Sequence, residues 1–176
     1  AGRFGLRMRV EVDWPAVRAH VAGVIAAIAP MDSVARFTAL GATVLQGQAR
    51  FVAPDALEVS GAGRLSARRI VVAAGGRAAL PAIPGLDRVA ALTNETLFGL
   101  AERPAHLLIL GGGAIGLEMA QAHAGLGCAV TVVEAGRLAG REDAALVGRL
   151  AAVLRAQGVT LLEGAEVARV EAGPVL

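Results

Sequence analysis

Residues 106–134, HLLILGGGAIGLEMAQAHAGLGCAVTVVE, constrain the fold more than any other stretch of the chain. An apolar run from His106 to Leu110 reads as a strand and leads into Gly111, Gly113 and Gly116. An amphipathic helix follows, and a second, β-branched run stops on the acid Glu134. Each glycine has a mechanical use. Gly111 lets the strand turn sharply, Gly113 has no Cβ to keep an anion off the backbone, and Gly116 lets the helix pack closely on the sheet. The free N–H groups and positive dipole end of the helix then form an anion site that needs no basic side chain.

A strand before, a helix after and a terminal acid turn a GxGxxG that is weak alone into a dinucleotide-binding reading. Glu134 lies 18 residues past Gly116, at the carboxyl end of the second strand, where an acid can accept hydrogen bonds from both ribose hydroxyls. A 2′-phosphate would meet a negative charge there, so the expected nucleotide is NAD rather than NADP. Arg137, three residues past the acid, is the group that argues the other way; it reads as a solvated loop charge in preference to a phosphate ligand.

Composition narrows the remaining classes. A length of 176 residues suits one domain or two small ones, and 55% hydrophobic residues with only 3% aromatics imply a core of Ala, Val, Leu and Ile, as buried parallel strands require. The calculated pI is 9.9, yet the net charge is only +2 and the arginines are dispersed among acids. With stacking aromatics nearly absent, nucleic-acid binding is not expected. Lysine is absent, which excludes a Walker A loop and a lysine Schiff base. Cys128 is the one cysteine, so no internal disulfide can form, and its place before an apolar strand suits a small core residue better than a nucleophile. His20, His106 and His123 are far apart in sequence, and no metal site is read. Apolar stretches are interrupted by charges or turn signals and no charged leader with a cleavage site is visible, so a soluble chain without export or membrane span is expected.

Along the chain, Asp13 caps a helix in which Val17, Val21, Val24 and Ile28 recur at helical spacing until Pro30, the pattern of a core-facing helix. A short second helix runs from about Ser33 to Gly41. Brief β-rich pieces follow at Thr43 to Gln46, Ala49 to Ala53, Ala56 to Val59 and Arg64 to Ser66, an antiparallel meander by their turn signals. Ile70 to Ala74 reads as a fully buried strand ending at Gly75 and Gly76. LPAIPGL, from Leu80 to Leu86, opens a boundary region that lasts to Pro104, with a single helical turn capped by Thr93 or Asn94. Beyond it, strand and helix alternate through Ile115 to Leu126, Ala129 to Glu134, Asp143 to Gln157 and Val159 to Glu163. Gly158 stands at the expected left-handed cap, and the alternation implies a parallel sheet with right-handed crossovers.

The segments IVVAAGGRAALPAIPG (Ile70 to Gly85), GGGAIGLEMA (Gly111 to Ala120) and VTVVE (Val130 to Glu134) resemble the pyridine nucleotide-disulfide oxidoreductases. The first helix and the meander containing VLQGQARFV are most similar to the dihydrolipoamide dehydrogenase and mercuric reductase group. The resemblance implies an α/β chain: a Rossmann-like parallel three-layer fold with a small antiparallel β-meander. Residues 1–100 would belong to a partial FAD-binding domain (helix, meander, last parallel strand) and 101–176 to a partial NAD-binding domain. It further implies a flavoenzyme in which NAD(P)H passes hydride to FAD and onward to a small-molecule, metal-ion or disulfide acceptor, in a cytoplasmic homodimer.

Residue by residue, Gly111, Gly113, Ala114, Ile115 and Gly116 match the nicotinamide-dinucleotide loop and Glu134 the ribose acid of NAD-using relatives. Glu118 matches an acid near the flavin and nicotinamide rings, the catalytic candidate; without the motif it would read as a helix-surface carboxylate. Val167 matches an adenine-side contact. Ala74 and Gly75 match a segment that touches FAD, with Ala74 where the family usually has Thr, and Ala49 matches a backbone contact to the FAD adenine. The family's first glycine-rich turn and its CxxxxC pair have no counterpart in these residues. The expectation is an interior fragment of a longer oxidoreductase, marginally stable and inactive alone, with a non-catalytic dinucleotide-binding module or a redox sensor as the alternatives.

Overall fold

The computed structural model describes residues 11–171. The elements in chain order are α1 (Trp14–Ile28), α2 (Val34–Ala39), β1 (Ala49–Ala53), β2 (Ala56–Val59), β3 (Gly63–Ser66), β4 (His106–Leu110), α3 (Ala114–Gly125), β5 (Ala129–Glu134), α4 (Ala144–Ala156) and β6 (Thr160–Glu163). The described residues fall into two compact units, 11–19 with 78–171, and His20–Arg77. The fold is mixed α/β, with one parallel and one antiparallel sheet.

In the first unit, β4, β5 and β6 form a parallel sheet in that order, with Leu107 opposite Val130 and Val132 opposite Leu161. These side chains are buried, as are Leu117 and Ala120 of α3 and Val147, Ala151 and Leu154 of α4. The three α4 positions repeat at helical spacing, which lays one apolar stripe of the helix on the core. Cys128 is buried in the same cluster, and burial pushes its thiol pKa up against the opposing pull of Arg103. His123, on the buried side of α3, has Nδ1 2.9 Å from the Met119 carbonyl, and the Trp14 ring lies 6.4 Å away, its Nε1 donating to the Leu100 carbonyl.

The start of α4 is fixed by Asp143, whose Oδ1 accepts from the Ala145 and Leu146 N–H groups at 2.9 and 3.0 Å. Asp143→Ala is expected to cost about 1 kcal/mol, the usual worth of an N-cap. In urea unfolding this appears as a lower midpoint at unchanged slope.

In the second unit, β1, β2 and β3 form the expected antiparallel meander, Phe51 opposite Leu57 and Leu57 opposite Leu65. Ser33 caps α2 by accepting from the Arg36 N–H. Three expectations fail. Thr43 to Gln46 has no strand geometry. Neither does Ile70 to Ala74, the last parallel strand assigned to residues 1–100; Val71 and Val72 are 86% and 71% exposed. A buried parallel strand needs neighbours to take its backbone hydrogen bonds, and no described strand pairs with this run. The apolar stripe of α1 is also uncovered: no α1 residue is buried, and Val24, Ile25 and Ile28 are exposed.

Trp14–Ala39 is long and apolar enough in composition to cross a membrane, with mean hydropathy 1.3 over its best window. The run is not one continuous α-helix, because a 3-10 turn at Ala29–Asp32, carrying Pro30, separates α1 from α2. The 15 residues of α1 reach only about 22 Å at the α-helical rise, short of the roughly 30 Å hydrocarbon layer.

Candidate dinucleotide site

The glycine turn sits where β4 hands over to α3. Gly111 has φ +105°, a left-handed conformation that favours glycine, and its N–H continues the sheet by donating to the Val133 carbonyl at 2.8 Å. A Cβ on Gly116 would run into the Gly111 carbonyl oxygen, so the absence of a side chain lets α3 come down onto the strand. Gly113 is the N-cap of α3 and makes no side-chain cap; space for a Cβ is open there. The contrast with the capped starts of α2 and α4 is informative, because α3 leaves its first N–H groups without a side-chain acceptor. Ala114 and Ile115 form the first exposed turn of that helix.

Glu134 closes the site from β5. One carboxylate oxygen accepts from the Gly112 N–H at 2.7 Å and the other from the Gly136 N–H at 2.8 Å. These two hydrogen bonds lower the carboxyl pKa, against a smaller opposing effect of burial. The group is therefore an anion at neutral pH, with an acceptor lone pair left on each oxygen.

A cleft of about 440 Å³ runs from this carboxylate, lined by Gly111, Glu134, Val167, Glu166, Pro81 and Ile83 among others. Three residues singled out in the sequence, Gly111, Glu134 and Val167, thus share one cavity. Just past Ile83, the chain is held by Val170, whose N–H donates to the Pro84 carbonyl at 2.8 Å beside Gly85, where a Cβ would strike the Val170 carbonyl oxygen. A second cleft of about 500 Å³, largely apolar, includes Gly111, Ile115 and Gly116, with Met119 and Leu97 among its walls.

Other candidates stand elsewhere. Glu118 is exposed on α3 and lines neither cleft. Ala49 begins β1 in the second unit, in a groove of about 600 Å³ with Arg50, Glu58 and Ser60. Ala74 and Gly75 are exposed in irregular chain of that unit, Gly75 with φ +68°. Arg137 donates to the Gly140 and Glu142 carbonyls at 2.9 and 3.3 Å, as a loop residue would, and does not line the cleft.

Sequence reasoning missed Gly112 and the wall residues. Gly112 is buried, and a Cβ there would strike Leu138 Cδ2 and lie 3.0 Å from Glu134 Cβ. The signal was present in the run of three glycines, where the middle one looks dispensable. Pro81 and Ile83 carried no such signal, since a Pro- and Gly-rich stretch reads as a boundary.

The family model for pyridine nucleotide-disulphide oxidoreductases matches residues 19–175. The chain belongs to that family. Its relatives include a mercuric reductase of Streptomyces lividans, 38% identical over 125 residues, and the probable pyridine nucleotide-disulfide oxidoreductase RclA of Escherichia coli K12, 37% identical over 132 residues. These alignments cover 69% and 72% of this chain but only 26% and 30% of those relatives, so the chain spans under a third of the length of each. The solved structure of RclA, a HOCl-induced flavoprotein disulfide reductase, superposes with a TM-score of 0.63 at 37% identity, over 72% of this chain and 30% of that one. A ferredoxin reductase of Rhodopseudomonas palustris superposes with a TM-score of 0.67 over 81% of this chain and 38% of its own, at 18% identity, which speaks for the fold alone. The matching family is one of oxidoreductases named for pyridine nucleotide and disulphide chemistry, and the RclA relative is a flavoprotein.

Proposed function

We propose that these residues form the NADH-receiving part of an FAD-dependent oxidoreductase. The observation that carries the reading is the Glu134 carboxylate, fixed by two backbone N–H groups at the edge of the cleft that begins at Gly111. The uncapped start of α3 would receive the diphosphate, Gly113 admitting it to the backbone and the Ala114, Ile115 and Gly116 N–H groups facing it. Glu134 would accept the ribose hydroxyls and Val167 would flank the adenine. Glu118 is assigned to the flavin and nicotinamide end by its match to the family motif. Ala49, Ala74 and Gly75 are assigned to FAD on the same ground, within a functional division at residues 1–100 and 101–176.

Electrostatics favour NADH over NADPH. Glu134 and Glu166 both line the cleft, while Arg137 is engaged with loop carbonyls, so a 2′-phosphate would enter beside two acids without a neutralising partner. When bound, the nicotinamide and flavin supply hydride transfer; the protein contributes binding and orientation. The onward acceptor is proposed to be a disulfide or a metal ion, in a cytoplasmic homodimer. Cys128, the chain's one cysteine, is buried with its thiol pKa raised, so a disulfide step would not run through it. That observation favours a narrower second reading, in which these 176 residues bind the dinucleotide without turning it over.

Titration of the protein with NADH and with NADPH, followed by nicotinamide fluorescence, tests the proposal. Tighter binding of NADH is expected. A preference for NADPH would overturn the role given to Glu134.

A further inference from the structure

Glu163 ends β6, on the strand next to the one that ends in Glu134, and the two acids stand opposite each other in the register. It does not line the nucleotide cleft. Its Oε1 accepts from the Leu138 N–H at 2.9 Å, and its Oε2 faces Arg155 of α4 at 3.6 Å. Leu138 is 1% exposed, and its Cδ2 fills the space over Gly112 that a Cβ would need. The next residue, Ala139, holds φ +42°, unusual for a residue with a Cβ, and its N–H donates to the Gly112 carbonyl at 2.8 Å. The start of the same loop is tied twice more: Gly136 accepts from the Gly164 N–H at 2.9 Å, and the Glu134 carbonyl accepts from the Ala165 N–H at 3.1 Å.

These contacts connect Glu163 to the nucleotide site by a short physical path. Glu163 holds Leu138; Leu138 and Ala139 hold Gly112 from its Cα side and its carbonyl; Gly112 in turn presents its N–H to Glu134. We infer that Glu163 is a positioning residue for the dinucleotide site, acting through the Leu138–Ala139 segment to fix Gly112 and the ribose acid in register. The inference rests on the dinucleotide reading for its functional consequence, while its structural half concerns the free protein. The role requires an acceptor oxygen facing the Leu138 N–H, not the negative charge: the Arg155 contact is long and both side chains are substantially exposed.

Three variants of the full chain separate these possibilities. Glu163→Ala removes the acceptor, Glu163→Gln can keep an oxygen toward Leu138 while dropping the charge, and Arg155→Ala drops the ion pair alone. Losing one net hydrogen bond corresponds to roughly a three- to tenfold change in an equilibrium constant, so Glu163→Ala should weaken NADH binding by about that factor. It should also lower the ratio of NADH to NADPH affinity, while Glu163→Gln and Arg155→Ala stay within about twofold of the parent, as exposed ion pairs do. Amide hydrogen exchange in the nucleotide-free protein reads the structural half: Glu163→Ala should speed exchange at Gly112, Leu138 and Ala139 but leave Val130 and Val132 in β5 protected. If the parent protein fails to bind NADH, the proposed function falls and the exchange result alone decides whether Glu163 holds the loop. Unchanged exchange at Gly112 in Glu163→Ala overturns the inference. So does a Glu163→Gln variant as impaired as Glu163→Ala, or uniformly faster exchange across the sheet, which would mark a general loss of stability.

Discussion

Replacing Gly112 with valine is expected to weaken NADH binding by more than tenfold. A Cβ alone would strike Leu138 Cδ2 and come within 3.0 Å of Glu134 Cβ and 3.3 Å of its Cγ. The far end of a leucine usually swings aside at little cost, but Leu138 is one of the most deeply buried side chains in the core, and Gly112 is itself buried. Either β4 and its turn lift or the loop carrying Leu138 lifts, and both break the 2.7 Å bond from the Gly112 N–H to Glu134. Overpacking of this kind costs about 1–3 kcal/mol of stability. NADH affinity should fall by more than tenfold, about 1.4 kcal/mol, because the turn and the ribose acid move together. Gly112→Ala should show the same effect at reduced size. In a Leu138→Ala background the space is open, so the cost of Gly112→Ala should shrink; a double-mutant cycle with no coupling between positions 112 and 138 would contradict the steric argument.

The limits of sequence reading follow the same physical line. The parallel sheet was legible because its signals are local and agree: His106 to Leu110 and Ala129 to Glu134 are strands with the expected bounds, Asp143 caps α4, and Gly158 has φ +90° just past the helix end. Ile70 to Ala74 looks as strand-like as either, yet a strand is a relation between segments. Apolar β-branched residues confer the propensity, and only a partner supplies the ladder. The same holds for α1, whose helical periodicity is real although nothing described covers its stripe. At the site, Gly111 and Gly116 could be read from the demands of their own backbone. The demand on Gly112 comes from Leu138, 26 residues away, and the run of three glycines marks a turn without telling which member that packing requires.

Glu134→Gln, usually a mild substitution, is expected to cost NADH affinity about as much as Glu134→Ala. The carboxylate faces a backbone N–H donor at each oxygen, Gly112 on one side and Gly136 on the other. A glutamine amide offers one acceptor and one NH₂ donor, so either orientation sets a donor against a donor. The two losses are unequal. Gly136 is exposed and can turn to water, whereas Gly112 is buried and would leave an unsatisfied N–H worth roughly 1–3 kcal/mol. The better orientation of glutamine therefore keeps its oxygen on Gly112 and surrenders Gly136, while alanine forfeits both; in neither variant do two acceptor oxygens remain for the ribose. NADH affinity should fall about tenfold or more in both, with NADPH binding affected less because the carboxylate that repels its 2′-phosphate is gone. The pH dependence carries its own sign. Hydrogen bonds from Gly112 and Gly136 hold the folded-state pKa of Glu134 below that of an unfolded chain. Its ionisation therefore stabilises the fold fully above the ordinary glutamate range, near pH 4.3, and that stabilisation drains away as pH falls through the lowered folded value. Urea unfolding at neutral pH and again below about pH 4 should show the gap between the parent and Glu134→Ala narrowing on acidification. A gap that stays constant or widens would mean that the carboxylate is not held by those two N–H groups, and with it would go the geometry on which the ribose contact depends.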